Sequence, residues 1–239
     1  MPVNNQLKNP RITVFIPAHN EEKLLGYTLE KLKAQDIDEE FELLVIDNAS
    51  IDKTGEIARN EGARVVREEK KGNRFAVERG FKEARGDIVI QTDADTSPAK
   101  DFVRTLAAAY DDPEVVGAGT RVHLVGVNPL INKLNKVFSD FNPREGMWGP
   151  SLSARKWAWK EVGGFNKGFD LNSDSYFGFQ LAKIGKVKII KDYYLPVSGR
   201  RYTGGFFSIL KNAGKLVVNG LFMIMFKRPL FKDPFEDIR

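Results

Sequence analysis

The stretch Ile12-Thr13-Val14-Phe15-Ile16-Pro17-Ala18-His19-Asn20-Glu21-Glu22 decides the fold. Its first five residues form a short, β-branched apolar run that reads as a strand. Pro17 is expected to stop the ladder, so that polar groups project from the strand's C-terminal end. Asn20 is a good N-cap, with Glu21 and Glu22 in the positive first turn of a helix and Leu25, Leu29 and Leu32 recurring on one face. Strand, polar turn and helix make one βα unit.

The same alternation continues outward. Strands fit residues 43–46, 64–66, 88–91 and 115–118, with helical patterns between them. This specifies an α/β domain with a mixed, mainly parallel central sheet flanked by helices. Ser97-Pro98 is expected to cap a helix carrying Phe102, Val103, Leu106 and Tyr110. Residues 128–194 are less regular, with glycine and aromatic residues clustered in Gly146-Met147-Trp148-Gly149-Pro150 and Gly163-Gly164-Phe165, as in loops that shape a pocket. A helix over 174–184 stopping at Gly185 and a strand over 187–190 follow. The 239 residues suffice for one full domain with an appendage. The expected division is a domain over 1–197 and an amphipathic helical tail over 198–239.

Composition narrows the chemistry. There is no cysteine, which excludes disulfides and thiolate sites, and the histidines are only His19 and His123, so any metal must sit on oxygen. The net charge of +5 suits anionic substrates or an anionic membrane face and falls short of a nucleic-acid footprint. Arg200, Arg201, Lys211, Lys215, Lys227 and Arg228 flank the most apolar part of the chain. Residues 216–226 are apolar except for Asn219 and Gly220, too short for the roughly 20 residues of a spanning helix. With Phe206, Phe207, Ile209 and Leu210 ahead of it, this segment suits a helix lying in the interface of an anionic leaflet. The alternative is a C-terminal helix packed on the domain or in a homodimer. Residues 1–9 lack the apolar stretch of a signal peptide, which gives the expectation of a cytoplasmic chain, peripheral at the inner face of the membrane.

Several segments carry candidate chemistry. Neither a dinucleotide-binding glycine pattern nor a phosphate-binding loop follows the first strand. The Pro17 to Glu22 turn reads either as a helix cap or as a ligand-facing edge, and Asp47-Asn48-Ala49-Ser50, past the second strand, reads equally as a turn or as part of that edge. Asp93-Ala94-Asp95, after the apolar run Ile88-Val89-Ile90, is the strongest local signal. Alternate residues leaving a strand can direct two carboxylates around one hard cation, Mg2+ or Mn2+, with water and a substrate diphosphate as the other ligands. Asp174, at a helix start, reads as an N-cap on its own.

In this order and spacing, residues 17–21, Asp47, Asp93-Ala94-Asp95, Gly163-Gly164-Phe165 and Asp174 resemble the family 2 glycosyltransferases, which have the nucleotide-diphospho-sugar transferase (GT-A) fold. The resemblance covers residues 11–197, and the C-terminal segment resembles the amphipathic tail of membrane-associated members. It implies an inverting transferase that moves a sugar from a nucleoside-diphosphate sugar, most often a UDP-sugar, to a hydroxyl acceptor such as a lipid-linked glycan. Pro17, Ala18, Asn20 and Glu21 would line the nucleoside pocket, Asp47 would read the base edge, and Asp93 and Asp95 would serve the ribose and the metal-diphosphate. Asp174 would be the catalytic base. Lys71-Gly72-Asn73-Arg74 matches the family's basic glycine loop, which would place Arg74 at the diphosphate, and Trp148 falls where members receive the acceptor.

Two departures from the family pattern are present. Ser173-Asp174 stands where members commonly carry Glu-Asp, and Arg200-Arg201-Tyr202 is all that corresponds to the Gln-x-x-Arg-Trp box of processive members. A polymer-extruding synthase is therefore not expected. A polyprenyl-phosphate glycosyltransferase and a non-catalytic sugar-nucleotide-binding scaffold are the alternatives, with a sugar nucleotidyltransferase more distant.

Overall fold

Strands that are apolar on both faces need helices on both sides of the sheet. The computed structural model describes residues 2–129, 131–133, 147, 149–165 and 173–200. In it β1 (Ile12–Ala18) and β2 (Glu42–Asn48) are buried at every position. They are joined by β3 (Arg64–Glu68), β4 (Ile88–Gln91), β5 (Val115–Val125), β6 (Ser153–Arg155) and β7 (Lys186–Ser198) in the order β3-β2-β1-β4-β6-β5-β7. β1 runs parallel to β2 and β4, β2 to β3, and β5 to β7, whereas β6 is antiparallel to both its neighbours. The sheet is mixed and mainly parallel, as the βα alternation requires.

Among the described residues the helices with full bounds are α1 (Leu25–Lys33), α2 (Thr54–Asn60), α3 (Asn73–Glu83), α4 (Phe102–Ala107), α5 (Lys156–Glu161) and α6 (Ser173–Leu181). Because successive strand residues face opposite sides, two cores form. Ile12, Val14 and Ile16 pack with Leu25, Leu29 and Leu32 of α1 and Phe102 and Leu106 of α4. Phe15, Leu44 and Val89 face the other way, onto Ala76, Val77 and Phe81 of α3 and Phe177 and Leu181 of α6.

Phe81 is the hub of the second core. It is fully buried, and its ring lies 5.4 Å from that of Phe15, 5.8 Å from Trp159, 5.5 Å from Phe165 and 5.7 Å from Phe177. Phe81→Ala is expected to lower unfolding free energy by about 3–5 kcal/mol, measured as a lower denaturant midpoint at unchanged slope.

Several local expectations are corrected. Pro17 does not stop β1, because the strand runs on through Ala18, with Pro17 opposite Ile46 and Ala18 opposite Asp47. The carbonyl of Phe15 accepts from Thr92 N at 3.0 Å. Pro17, two residues on, faces the same side, beyond the last β1–β4 pair at Phe15 and Gln91. Its missing N–H therefore costs no ladder bond. α1 starts at Leu25, not at Asn20, and α4 starts at Phe102 instead of after Ser97-Pro98. Asn20 has φ of 53°, a left-handed conformation that asparagine tolerates and a helix cap does not use. β5 and β7 are longer than expected. β7 is an edge strand whose Lys186, Lys188 and Lys191 break the apolar pattern and guard against further pairing.

Candidate active site

β1, β2 and β4 are parallel, so their C-terminal ends open on one edge of the sheet, where open α/β folds bind ligands. The loops after β1 and β2 are cross-linked there. Asn20 N donates to Ser50 Oγ at 3.0 Å and Ile51 N donates to Asn20 Oδ1 at 3.0 Å. Glu21 N donates to Thr54 Oγ1 at 2.7 Å and Glu22 N to Asp52 Oδ2 at 3.1 Å. Among the described residues Asn20 and Ala49 are the non-glycine positions with positive φ, both at 53°. Such backbone strain persists only where surrounding bonds enforce it, and it clusters at functional edges.

Asp47, the penultimate residue of β2, is buried, with Oδ1 accepting from Ser50 N at 3.1 Å and Oδ2 paired with Arg67 Nη1 at 2.9 Å. It lines a cleft of about 660 Å³ with Ser50, Ile51, Arg59 and Arg67. Pro17 and Ala18 are buried in the strand, the Ala18 methyl within the α1-side core, so that only their backbone meets this edge.

Asn48 shapes the next loop. Its Nδ2 donates to Lys70 O at 2.7 Å, and its Oδ1 accepts from Gly72 N at 2.8 Å. Gly72 has φ of 135°, and a Cβ there would come within 3.2 Å of the Phe75 ring, so this position suits glycine alone. Lys70 Nζ and the Arg74 guanidinium lie 4.0 and 4.4 Å from the Phe75 ring centre. Positive charge is thus held on an aromatic face at the start of α3.

The Asp93-Ala94-Asp95 turn follows β4 and is fixed from three directions. Thr28 of α1 donates its hydroxyl to Ala94 O and Thr96 O, both at 2.9 Å, the Thr96 hydroxyl donates to Asp93 O at 2.9 Å, and Ser198 N donates to Asp95 O at 2.9 Å. Asp93 is half-buried. The Asp95 side chain is 6% exposed, and its Oδ2 lies 3.1 Å from Arg200 Nε. Arg200 also forms an ion pair with the buried carboxylate of Glu21 through Oε1, while Glu21 Oε2 is buried with no hydrogen-bond partner. Burial disfavours the Arg200 charge, but Glu21 and Asp95 outweigh it and hold the guanidinium pKa above its ordinary value.

Asp174 reaches the same edge from α6. Its Oδ2 accepts from Gly149 N at 2.8 Å and its Oδ1 from Ser175 N at 2.8 Å. A Cβ on Gly149 would lie 3.5 Å from Gln91 Nε2 and 3.6 Å from Asp174 Oδ2, which sets Asp174 across Gly149 from the last residue of β4. Desolvation raises the Asp174 pKa, opposed by the Ser175 and Gly149 N–H groups. The Gly163-Gly164-Phe165 segment supports α6. Both glycines have positive φ, of 77° and 64°, which turns the Phe165 ring against Phe177 at 4.3 Å while Phe165 N donates to Glu78 Oε2 at 2.9 Å.

The structure therefore gathers Glu21, Asp47, Asp95 and Asp174 on one edge. Trp148 and residues 201–239, the expected acceptor platform and most of the tail, lie outside the described residues. Asn48 falls in the segment read as a turn or as part of the edge, whereas Thr28, Arg67 and Arg200 are builders of the edge that the sequence did not single out. Arg200 had two visible signals, its place in the C-terminal basic cluster and its partial match, within Arg200-Arg201-Tyr202, to the Gln-x-x-Arg-Trp box.

An open α/β sheet with carboxylates at the ends of its parallel strands binds ligands at that edge in many unrelated proteins, so the fold alone does not fix the class. The profile of Glycosyl transferase family 2 matches residues 13–193, and the chain belongs to this family. A Methanococcus voltae relative, dolichyl N-acetyl-alpha-D-glucosaminyl phosphate 3-beta-D-2,3-diacetamido-2,3-dideoxy-beta-D-glucuronosyltransferase, is 24% identical over 91% of this chain and 77% of its own length. The undecaprenyl-phosphate 4-deoxy-4-formamido-L-arabinose transferase of Proteus mirabilis (strain HI4320) is 31% identical over 46% of this chain, which spans 37% of that relative. A mannosyltransferase from Pyrobaculum calidifontis, solved with GDP-Man and Mn2+, superposes with a TM-score of 0.66 at 24% identity, over 79% of this chain and 56% of that one, and shares the fold.

Proposed function

We propose that the chain is an inverting glycosyltransferase that moves a sugar from a nucleoside-diphosphate sugar, a UDP-sugar first, to an acceptor hydroxyl on a lipid-linked glycan. The observation that carries this reading is the convergence of Glu21, Asp47, Asp95 and Asp174 on one edge of the sheet. In it Asn20 and Glu21, with the Pro17 and Ala18 backbone, wall the nucleoside pocket, Asp47 meets the base edge, and Arg74 meets the diphosphate. Trp148 receives the acceptor.

A divalent cation, Mn2+ or Mg2+, fits the donors present. They are hard carboxylate oxygens, and Asp95 and Glu21 already gather positive charge, the guanidinium of Arg200. Among the described residues no three acidic or histidine side chains converge on one point, so Asp93 and Asp95 would hold the ion together with non-protein oxygens. When bound, it would neutralise the charge that builds on the departing diphosphate. Asp174 accepts the proton of the acceptor hydroxyl as that oxygen attacks the anomeric carbon from the face opposite the leaving group. A carboxyl pushed upward by desolvation is a stronger proton acceptor once ionised.

Residues 1–197 would be the catalytic domain, with residues 198–200 of the tail held against it where β7 ends and Arg200 reaches Glu21 and Asp95, and the rest of the tail would lie peripherally on the inner face of the membrane or pair two chains as a homodimer. Among the described residues no helix is long and apolar enough to cross a membrane. The two relatives named for dolichyl-linked and undecaprenyl phosphates favour a lipid-borne acceptor. The second of these names supports an alternative in which the acceptor is a polyprenyl phosphate itself. Calorimetric titration of UDP, GDP and dTDP with and without Mn2+ tests the donor site. One nucleotide is expected to bind in a metal-dependent way; no binding by any of them would overturn the donor site, and metal-dependent binding of a donor that is neither hydrolysed nor transferred would favour the scaffold.

A further inference from the structure

The donor edge of this reading already contains a cation of the chain's own. The segment leaving β7 is tied to the Asp95 turn by the Thr96–Val197 bridge, by Ser97 N donating to Pro196 O at 2.9 Å and by Ser198 N donating to Asp95 O at 2.9 Å. On the other side Gly199 N donates to Val125 O at 2.8 Å. These bonds fix the backbone immediately before Arg200 and bring its guanidinium onto Asp95 and Glu21, whose side chains are 6% and 4% exposed. The charge-assisted bond to Glu21 and the ion pair with Asp95 are strong in such partly dry surroundings, and an uncompensated carboxylate there is costly.

We propose that Arg200 is an exchangeable counter-ion of the donor site. It neutralises Glu21 and Asp95 when no donor is bound, competes with the divalent cation for Asp95, and is released to the diphosphate when metal and nucleotide arrive together. The inference rests on the donor-site reading above. A guanidinium and a divalent ion on the same Asp95 oxygens repel one another, so metal alone must break the Arg200–Asp95 ion pair while the guanidinium is still held beside the site by Glu21. A nucleoside diphosphate brings new acceptor oxygens for the displaced guanidinium. Metal binding is then weakened without nucleotide and strengthened by it.

The test is titration of Mn2+ into the full chain, alone and with UDP, GDP and dTDP in turn, followed by calorimetry and by the electron-spin signal of free Mn2+. Wild type is compared with Arg200→Gln and with Arg200→Lys, which keeps the charge but loses the fork. Arg200→Gln is expected to bind Mn2+ alone about tenfold more tightly than wild type, and Arg200→Lys to fall between them, as removal of one charge-assisted competitor predicts. Equal or weaker Mn2+ binding by Arg200→Gln, with wild type still binding a nucleotide in a metal-dependent way, overturns the exchange and leaves the donor site standing. A wild type that binds no nucleotide even with Mn2+ overturns both. If Arg200→Gln does not melt cooperatively, Arg200→Lys decides: tighter Mn2+ binding than wild type supports the exchange, and equal or weaker binding overturns it.

Discussion

Asp174→Asn is expected to lower turnover by roughly 10²–10⁴-fold, the usual contribution of a positioned general base, while nucleotide affinity stays within a few-fold of wild type. The asparagine keeps the shape of the side chain but offers one acceptor oxygen where the carboxylate serves two N–H groups, those of Gly149 and Ser175. One of these donors loses its partner, at a cost of about 1–3 kcal/mol. A melting curve therefore accompanies the rate measurement, to separate lost chemistry from lost fold. The pH profile supplies a second check. A base must be ionised, so wild-type turnover rises with pH through the Asp174 titration, and desolvation moves that rise above the ordinary carboxylate range. The stability linked to this group has the opposite sense: it is full below the unfolded pKa and is lost as pH rises through the raised folded value. In Asp174→Asn the acid limb of the activity profile should vanish. Activity near wild type would remove Asp174 from the base's role and favour an acceptor oxygen that is ionised before it binds, such as that of a polyprenyl phosphate.

The part of this edge that was legible in the sequence is the part built from strand ends. Runs such as Leu43-Leu44-Val45-Ile46 are buried on both faces, so their limits show as the first polar residues after them, and Asp47 and the Asp93 to Asp95 turn sit at those limits. Asp174 was visible as a cap at a helix start; α6 begins one residue earlier, at Ser173, so the aspartate lies in the first turn instead. What the sequence hid depends on tertiary pairing. β6 has only three residues and owes its existence to β4 and β5 on either side of it, so no periodicity could announce it. Asn20 has the composition of a cap, but its side chain is taken by Ile51 N of the neighbouring loop. Arg200 meets Glu21 across 179 residues of sequence. That meeting requires β7 to dock parallel to β5 through a register shift, which alternation in either strand does not encode.

Asp95→Ala is expected to lower turnover by roughly 10²–10³-fold, about 2.7–4 kcal/mol, the scale seen when a preorganised charge-stabilising group is lost. Metal-dependent nucleotide binding should fall with it, and added Mn2+ should not restore it, because the side chain that fixes the ion is gone. The substitution also strips Arg200 of one of its two carboxylate partners among the described residues, leaving the guanidinium on Glu21. A double-mutant cycle separates the two consequences. If Asp95 serves only as a partner of Arg200, Asp95→Ala on an Arg200→Gln background should cost almost nothing further in metal-dependent nucleotide binding. If Asp95 holds the ion, the loss should persist on that background at nearly its full size, since the competitor's removal cannot replace the ligand. The cycle is read by calorimetry and needs no acceptor, so it places Asp95 in the donor site, or outside it, before the sugar or the acceptor has been identified.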